Sequence, residues 1–203
     1  MKTKLFKIFT IIFLFILFLF ITAKSYANTV STELSDNIFR LHIIANSNEN
    51  EDQELKLKVR DAIIEYIENL TANCETKDDV VSLIKTNIDE LYNVTNSVIS
   101  NSGYNYNINI EIGNFYFPTK VYGNISMPSG FYDALKIEIG EAKGENWWCS
   151  LFPPLCFTDI SSGVIDEETD ETLQNNLDDE EYSIITDASG TYKIKFKILE
   201  LFS

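Results

Sequence analysis

The chain changes its apolar period partway along, and that change limits it to few architectures. Leu55, Val59, Ala62, Ile63, Tyr66 and Leu70 recur at helical spacing, which predicts a helix over about 49–70 with one buried face. Asn48 followed by Glu51 has capping-box spacing at its start, and Glu49, Asp52 and Glu54 add negative charge where the helix dipole favours it. Val80, Leu83, Ile84, Ile88, Leu91, Val94 and Val98 repeat the period and predict a second helix, opened by Thr76 with Asp79 and stopped at Asn101-Ser102-Gly103. Then the period drops to two. Tyr104, Tyr106, Ile108, Ile110 and Ile112 alternate with Asn105, Asn107, Asn109 and Glu111, the pattern of a half-buried strand. Gly113-Asn114 then suggests a turn, and Phe115 to Tyr122 a further strand kinked by Pro118. Leu135, Ile137 and Ile139 alternate with Lys136 and Glu138 in the same way. Upstream, Ile38 to Ile44 is apolar and β-branched enough for a strand with Arg40 and His42 on one face and Phe39, Leu41 and Ile43 on the other. A strand, two amphipathic helices and then a mostly antiparallel sheet is the order of an α+β domain, not of a doubly wound one.

The amino terminus sets the expected compartment. Lys2, Lys4 and Lys7 lead into the apolar run Ile8 to Ile21, and the small residues Ser25-Tyr26-Ala27 follow. This is the order of a secretory signal over residues 1–27 with cleavage after Ala27. The alternative is an uncleaved anchor, with the span built from residues 5–21, although the run falls short of the roughly 20 residues a spanning helix wants. Removing residues 1–27 leaves 12 basic against 31 acidic residues, a net charge of −19. A chain so acidic is repelled by nucleic acid and by anionic lipid, so neither is an expected partner.

Residues 28–160 form the predicted domain. Its most unusual segment is GENWWCSLFPPLCF, Gly144 to Phe157, which holds both tryptophans and two of the three cysteines. Pro153-Pro154 suits it poorly to a helix interior, and its rings must be buried. Trp147, Trp148, Phe152 and Leu155 either cap the core or form a stiff ridge for a partner, the core cap being the plainer reading. Cys149 and Cys156 suggest a local disulfide clip or buried thiols before redox chemistry, whose pairs are more typically spaced CxxC. Asp52, Lys56 and Arg60, at intervals of four, form a charged outer stripe on the first helix. Such a stripe is ordinarily solvated support, and Lys56 and Arg60 are candidates for partner contact as the second reading.

Residues 161–190 change character. Nine acids and no basic residue fall within 166–181, which predicts an exposed, flexible insertion, and the spacing of a calcium-binding EF-hand loop is absent. Over 191–203, Tyr192, Ile194, Phe196 and Ile198 alternate with three lysines and predict a last strand that returns to the sheet.

Little in the chain points to catalysis. His42 is the sole histidine, and it would have to work with Asn46, Ser47 and one of Cys74, Cys149 or Cys156. No nucleophile elbow, zinc-protease motif, P-loop or dinucleotide fingerprint is present. No cofactor, metal or small-molecule substrate is expected, and His42 reads as a structural residue on the polar side of its strand.

The segments RLHIIANS, EDQELKLKVRDAI, FPTKVYG and PSGFYDALKIEIGEAKGENWWCSLFPPLCF closely resemble the stage II sporulation protein R family of endospore-forming bacteria, from about Ile38 to Phe157 in the same order. The resemblance implies a signal and not an enzyme: a protein made in the forespore and exported across its membrane into the space between forespore and mother cell. There it would be needed to activate a membrane-embedded aspartic protease of the mother cell, which removes the pro-sequence of the sigma E precursor. No catalytic residue carries over with the resemblance. An envelope hydrolase acting on peptidoglycan during engulfment is the alternative, and a purely structural envelope protein a third possibility.

Overall fold

In the computed structural model, residues 2–156, 165 and 167–186 are described. The predicted strand over 191–203 lies outside them. Helix α1, Lys2–Asn37, leads the chain. Its apolar residues from Phe6 to Ile21 stand exposed, whereas Leu34 near its end is fully buried in the core. The lead into the first strand is therefore helical to Asn37. Among the described residues no helix is long and apolar enough to cross a membrane.

Strand β1, Phe39–Ile44, is followed by α2, Asn50–Thr71, then α3, Lys77–Thr86, and α4, Ile88–Asn101. The second predicted helix is thus two helices that meet at Asn87. The Asn87 backbone N–H bonds back to the carbonyls of Leu83 and Ile84, and its side-chain amide also donates to Leu83. A side chain that competes for backbone acceptors in this way ends a helix even where the apolar period runs on. At the start of α3 the Thr76 hydroxyl accepts the Asp79 N–H at 3.2 Å, as its spacing suggests. The start of α2 departs from expectation: Glu49, not Asn48, is the cap residue, and it makes no side-chain cap bond.

Strands β2, Ile108–Phe117, β3, Lys120–Tyr122, β4, Ile125–Met127, β5, Gly130–Ile139, and β6, Asn146–Phe152, follow. Four of them form one sheet in the order β2-β5-β1-β6, and β3 with β4 forms a separate hairpin. β1 runs parallel to β5, while β2 and β6 are antiparallel to their neighbours. The fold is α+β with a mixed sheet. Gly113-Asn114 is no turn, because Gly113 lies opposite Ala134 and Asn114 opposite Asp133 in an unbroken register. The tryptophan segment, read from the sequence as a core cap or a stiff ridge, begins as a strand. Its first half is β6, an edge strand laid against β1.

One face of β1 presents Phe39, Leu41 and Ile43, all fully buried, and with Leu135, Ile137 and Ile139 of β5 they form the sheet side of the core. Leu55, Val59, Ile63 and Ile67 of α2 and Leu91 and Ile99 of α4 pack into the same core. Each such side chain stabilises the fold by about 1.5–3 kcal/mol through burial. The acidic stretch is not structureless: α5, Glu167–Asn176, and α6, Asp179–Thr186, bury Leu173 and Ile185. Asn37 donates to the Glu181 carboxylate at 2.9 Å, fastening the end of α1 to α6.

Candidate functional site

The other face of β1 carries Arg40 and His42, and here the sheet holds charge and aromatic rings instead of a dry aliphatic layer. Arg40 is 0% exposed. Its guanidinium carbon lies 4.3 Å from the centre of the Phe117 ring and 5.0 Å from that of Tyr132. Nη2 donates to the Tyr122 hydroxyl at 3.0 Å, Nε donates to the Cys149 carbonyl at 3.4 Å, and Nη1 is buried without a partner. The Tyr122 hydroxyl in turn donates to the Trp148 carbonyl at 3.0 Å. Burial pulls the Arg40 guanidinium below its ordinary value, partly offset by Tyr122 and Tyr132. Among the described residues no carboxylate forms an ion pair with it. A cation–π contact of this kind contributes about 0.5–2 kcal/mol, less than the several kcal/mol that burying an uncompensated ion costs. The site therefore carries a net electrostatic cost that the rest of the core supports.

His42 sits one turn of the pleat away and is 7% exposed. Its ring stacks on Trp148 at 3.6 Å between centroids, meets Phe117 edge-on at 5.9 Å, and places Nε2 2.6 Å from Asn146 Oδ1. Burial lowers its pKa from 6.5 to about 4, against a smaller opposing effect of the Asn146 bond. At neutral pH it is an uncharged imidazole wedged between rings. Asn46 and Ser47, which a catalytic His42 would need beside it, face elsewhere: both donate to Asp52 Oδ2, at 2.8 and 2.6 Å. The cysteines do not join it as a nucleophile. Cys149 and Cys156 are disulfide-bonded, and Cys74 belongs to the margin of the helical core, where burial raises its pKa. Among the described residues no cluster of His, Cys, Asp and Glu could hold a metal ion.

The six residues offered as a partner surface separate into two groups. Phe152 and Leu155 are buried and belong to the core, because the chain after β6 folds back so that the Ser150 carbonyl accepts the N–H groups of both Leu155 and Cys156. Lys56 is also buried, not part of a solvated stripe: its ammonium donates to Gln53 Oε1 at 2.6 Å and to the Glu145 carbonyl at 3.1 Å. Its pKa falls, with burial as the main cause. Asp52 is buried beside it. Burial alone would raise the Asp52 carboxyl, but hydrogen bonds from Ser47, Asn46 and Tyr106 hold it below the ordinary range. What remains accessible is Trp147, half-buried, with the Arg60 guanidinium 4.3 Å above its ring, and Trp148 on the opposite face of the strand.

Sequence reasoning did not identify Phe117, Tyr122 and Tyr132 as the walls of the Arg40 site. The available signal was Arg40 itself, a charge between Phe39 and Leu41 in a strand apolar enough to be buried on both faces.

Comparison with known proteins gives two matches. The family model described as stage II sporulation protein R matches residues 35–162, beginning in the last turn of α1 and running past the disulfide. Stage II sporulation protein R of Bacillus subtilis (strain 168) is 36% identical over 138 residues, 68% of this chain and 62% of that protein. The match thus spans somewhat under two thirds of the relative's length. No solved structure matches. The chain belongs to the stage II sporulation protein R family.

Proposed function

We propose that this protein is an exported sporulation signal, made in the forespore, which triggers a mother-cell membrane aspartic protease to process the sigma E precursor. Family membership across residues 35–162 carries this reading. Two features support it. The lysines before the apolar run Ile8 to Ile21 suit export, and that run stands exposed on α1, apart from the core. The disulfide between Cys149 and Cys156 suits a compartment outside the cytoplasm. A ligand of this kind works by binding the active state of its target better than the dormant one. The accessible Trp147 and Arg60 form the surface proposed for that contact, and Trp148, on the opposite face of β6, is a second candidate. Phe152, Leu155 and Lys56 are withdrawn from it by their burial.

The test is an immunoblot of the sigma E precursor in sporulating cells that lack the chain, complemented with wild type or His42→Ala. Failed processing without the chain, rescued by both versions, is the expected result. Normal processing without the chain would overturn the proposal. Rescue by wild type alone, with the variant exported at equal level and as stable in urea as wild type, would favour an envelope hydrolase.

A further inference from the structure

The four-stranded sheet has two edges, and among the described residues only one is closed. At β6 the Ser150 carbonyl accepts Leu155 and Cys156 N–H groups at 3.0 and 3.1 Å, and the Trp148 carbonyl accepts Tyr122. The disulfide and Pro153-Pro154 follow directly. These are devices that stop another strand from adding.

β2 has none of them. It is ten residues long, with no register shift along its pairing with β5, and it carries no proline, lysine or arginine. Its one charged residue, Glu111, is already paired with Lys136 at 3.2 Å. The pairing also fixes which backbone groups are free. The Asn107 carbonyl accepts the Gly140 N–H at 2.8 Å, one step beyond the pair Ile108 and Ile139. In an antiparallel ladder, residues whose N–H and C=O face the neighbour alternate with residues whose groups face away. Asn107, Asn109, Glu111, Gly113 and Phe115 therefore face β5, and Ile108, Ile110, Ile112, Asn114 and Tyr116 turn their N–H and C=O groups outward. Among the described residues no strand lies beyond them, and no loop backbone bonds to them.

We propose that the outer edge of β2 docks an extended segment of a partner protein, which adds as a fifth strand. The side chains beside the edge define that segment. On the helix side, half-buried Ile108, Ile110 and Ile112 lead to Tyr116 and Phe131, 57% and 62% exposed with rings 5.6 Å apart, so the added strand presents apolar residues there. On the other side Glu111 and Glu138 share the single cation Lys136, in a chain of net charge −15, so the added strand presents basic residues there. Main-chain bonds supply affinity and the alternating side chains supply selectivity.

Amide hydrogen exchange on the full chain tests this. With the protein alone, the amides of Asn109, Glu111, Gly113 and Phe115 are expected to exchange slowly and those of Ile108, Ile110, Ile112, Asn114 and Tyr116 rapidly. A synthetic peptide of alternating lysine and valine should slow the second set about tenfold or more and leave the first unchanged. The same peptide N-methylated at alternate residues keeps its charge and loses its donors on one edge, and should slow neither set. Asn114→Pro, which removes an outward N–H, should weaken the slowing by the unmodified peptide while the first set stays protected. Outward amides that are already slow in the protein alone would overturn the proposal, since the edge would then be covered by the chain, with the strand expected over 191–203 the first candidate, or by a second copy. Equal slowing by both peptides, or slowing by neither, would overturn it as well.

Discussion

The two faces of β1 are built from alternate residues of one six-residue strand and do opposite things. Phe39, Leu41 and Ile43 meet the helices in an apolar layer that is buried and chemically silent. Arg40 and His42 meet Phe117, Tyr122, Tyr132 and Trp148 in a layer that holds a cation without an acid and an imidazole without a proton to spare. The first face is what any α+β domain needs. The second is harder to fold than an apolar layer of the same volume, so its residue types are not explained by stability alone.

Arg40 separates these explanations with the largest expected effect. Arg40→Ala leaves a cavity among Phe117, Tyr132 and Tyr122 and is expected to destabilise the protein by about 2–5 kcal/mol in urea denaturation. Arg40→Met fills the volume without the charge, and replacing buried ions by apolar groups of similar size is often neutral or stabilising, by about 1–4 kcal/mol. If Arg40→Met is at least as stable as wild type, the guanidinium is retained for something other than folding. An equal loss in both variants would break the contrast between the faces, because the bonds to Tyr122 and the Cys149 carbonyl would then be structural in the ordinary sense.

The edge strand shared by both faces comes next. Cys149 points to the helical side of β6 and Trp148 to the aromatic side, so the disulfide fixes the strand from which Arg40 draws an acceptor. Reduction, or Cys156→Ser, should cost about 2.5 kcal/mol by the chain-entropy account of so small a loop. A midpoint in urea unchanged by a reducing agent would mean that the Ser150 turn holds without the bridge.

The sequence disclosed what is contiguous and hid what is assembled across the chain. Thr76 and Asp79 are three residues apart, so the cap of α3 was readable, and the parity of β1 placed Arg40 and His42 on one face. The pairing of Cys149 with Cys156 was an expectation of the same local kind. The burial of Lys56 was not legible, because the carbonyl that receives it belongs to Glu145 in the β5–β6 turn, 89 residues away. Gly113-Asn114 carries turn-forming residues, yet the long register with β5 overrides that local preference and keeps β2 straight. The aromatic walls around Arg40 come from three separate strands that no periodicity joins. The same holds for the edge of β2 that stands open among the described residues, since a free edge is a property of strand order and not of any residue in it.

His42 gives the smallest and most specific effect. Its folded pKa, about 4, lies below the ordinary 6.5 because burial against Trp148 and Phe117 disfavours the charged ring. Between those values the unfolded chain binds a proton that the folded chain does not. Stability is therefore full above about pH 6.5 and falls as the pH drops toward 4, with the loss, discounted for partial solvation, expected at about 1–2 kcal/mol. His42→Phe keeps a ring for Trp148 to stack on and has nothing to titrate, so its urea midpoint should stay flat across that window while the wild-type midpoint declines. Parallel declines in both proteins would assign the pH dependence to the carboxylates, with Asp52 the first to examine, and would remove His42 from the account of the aromatic face.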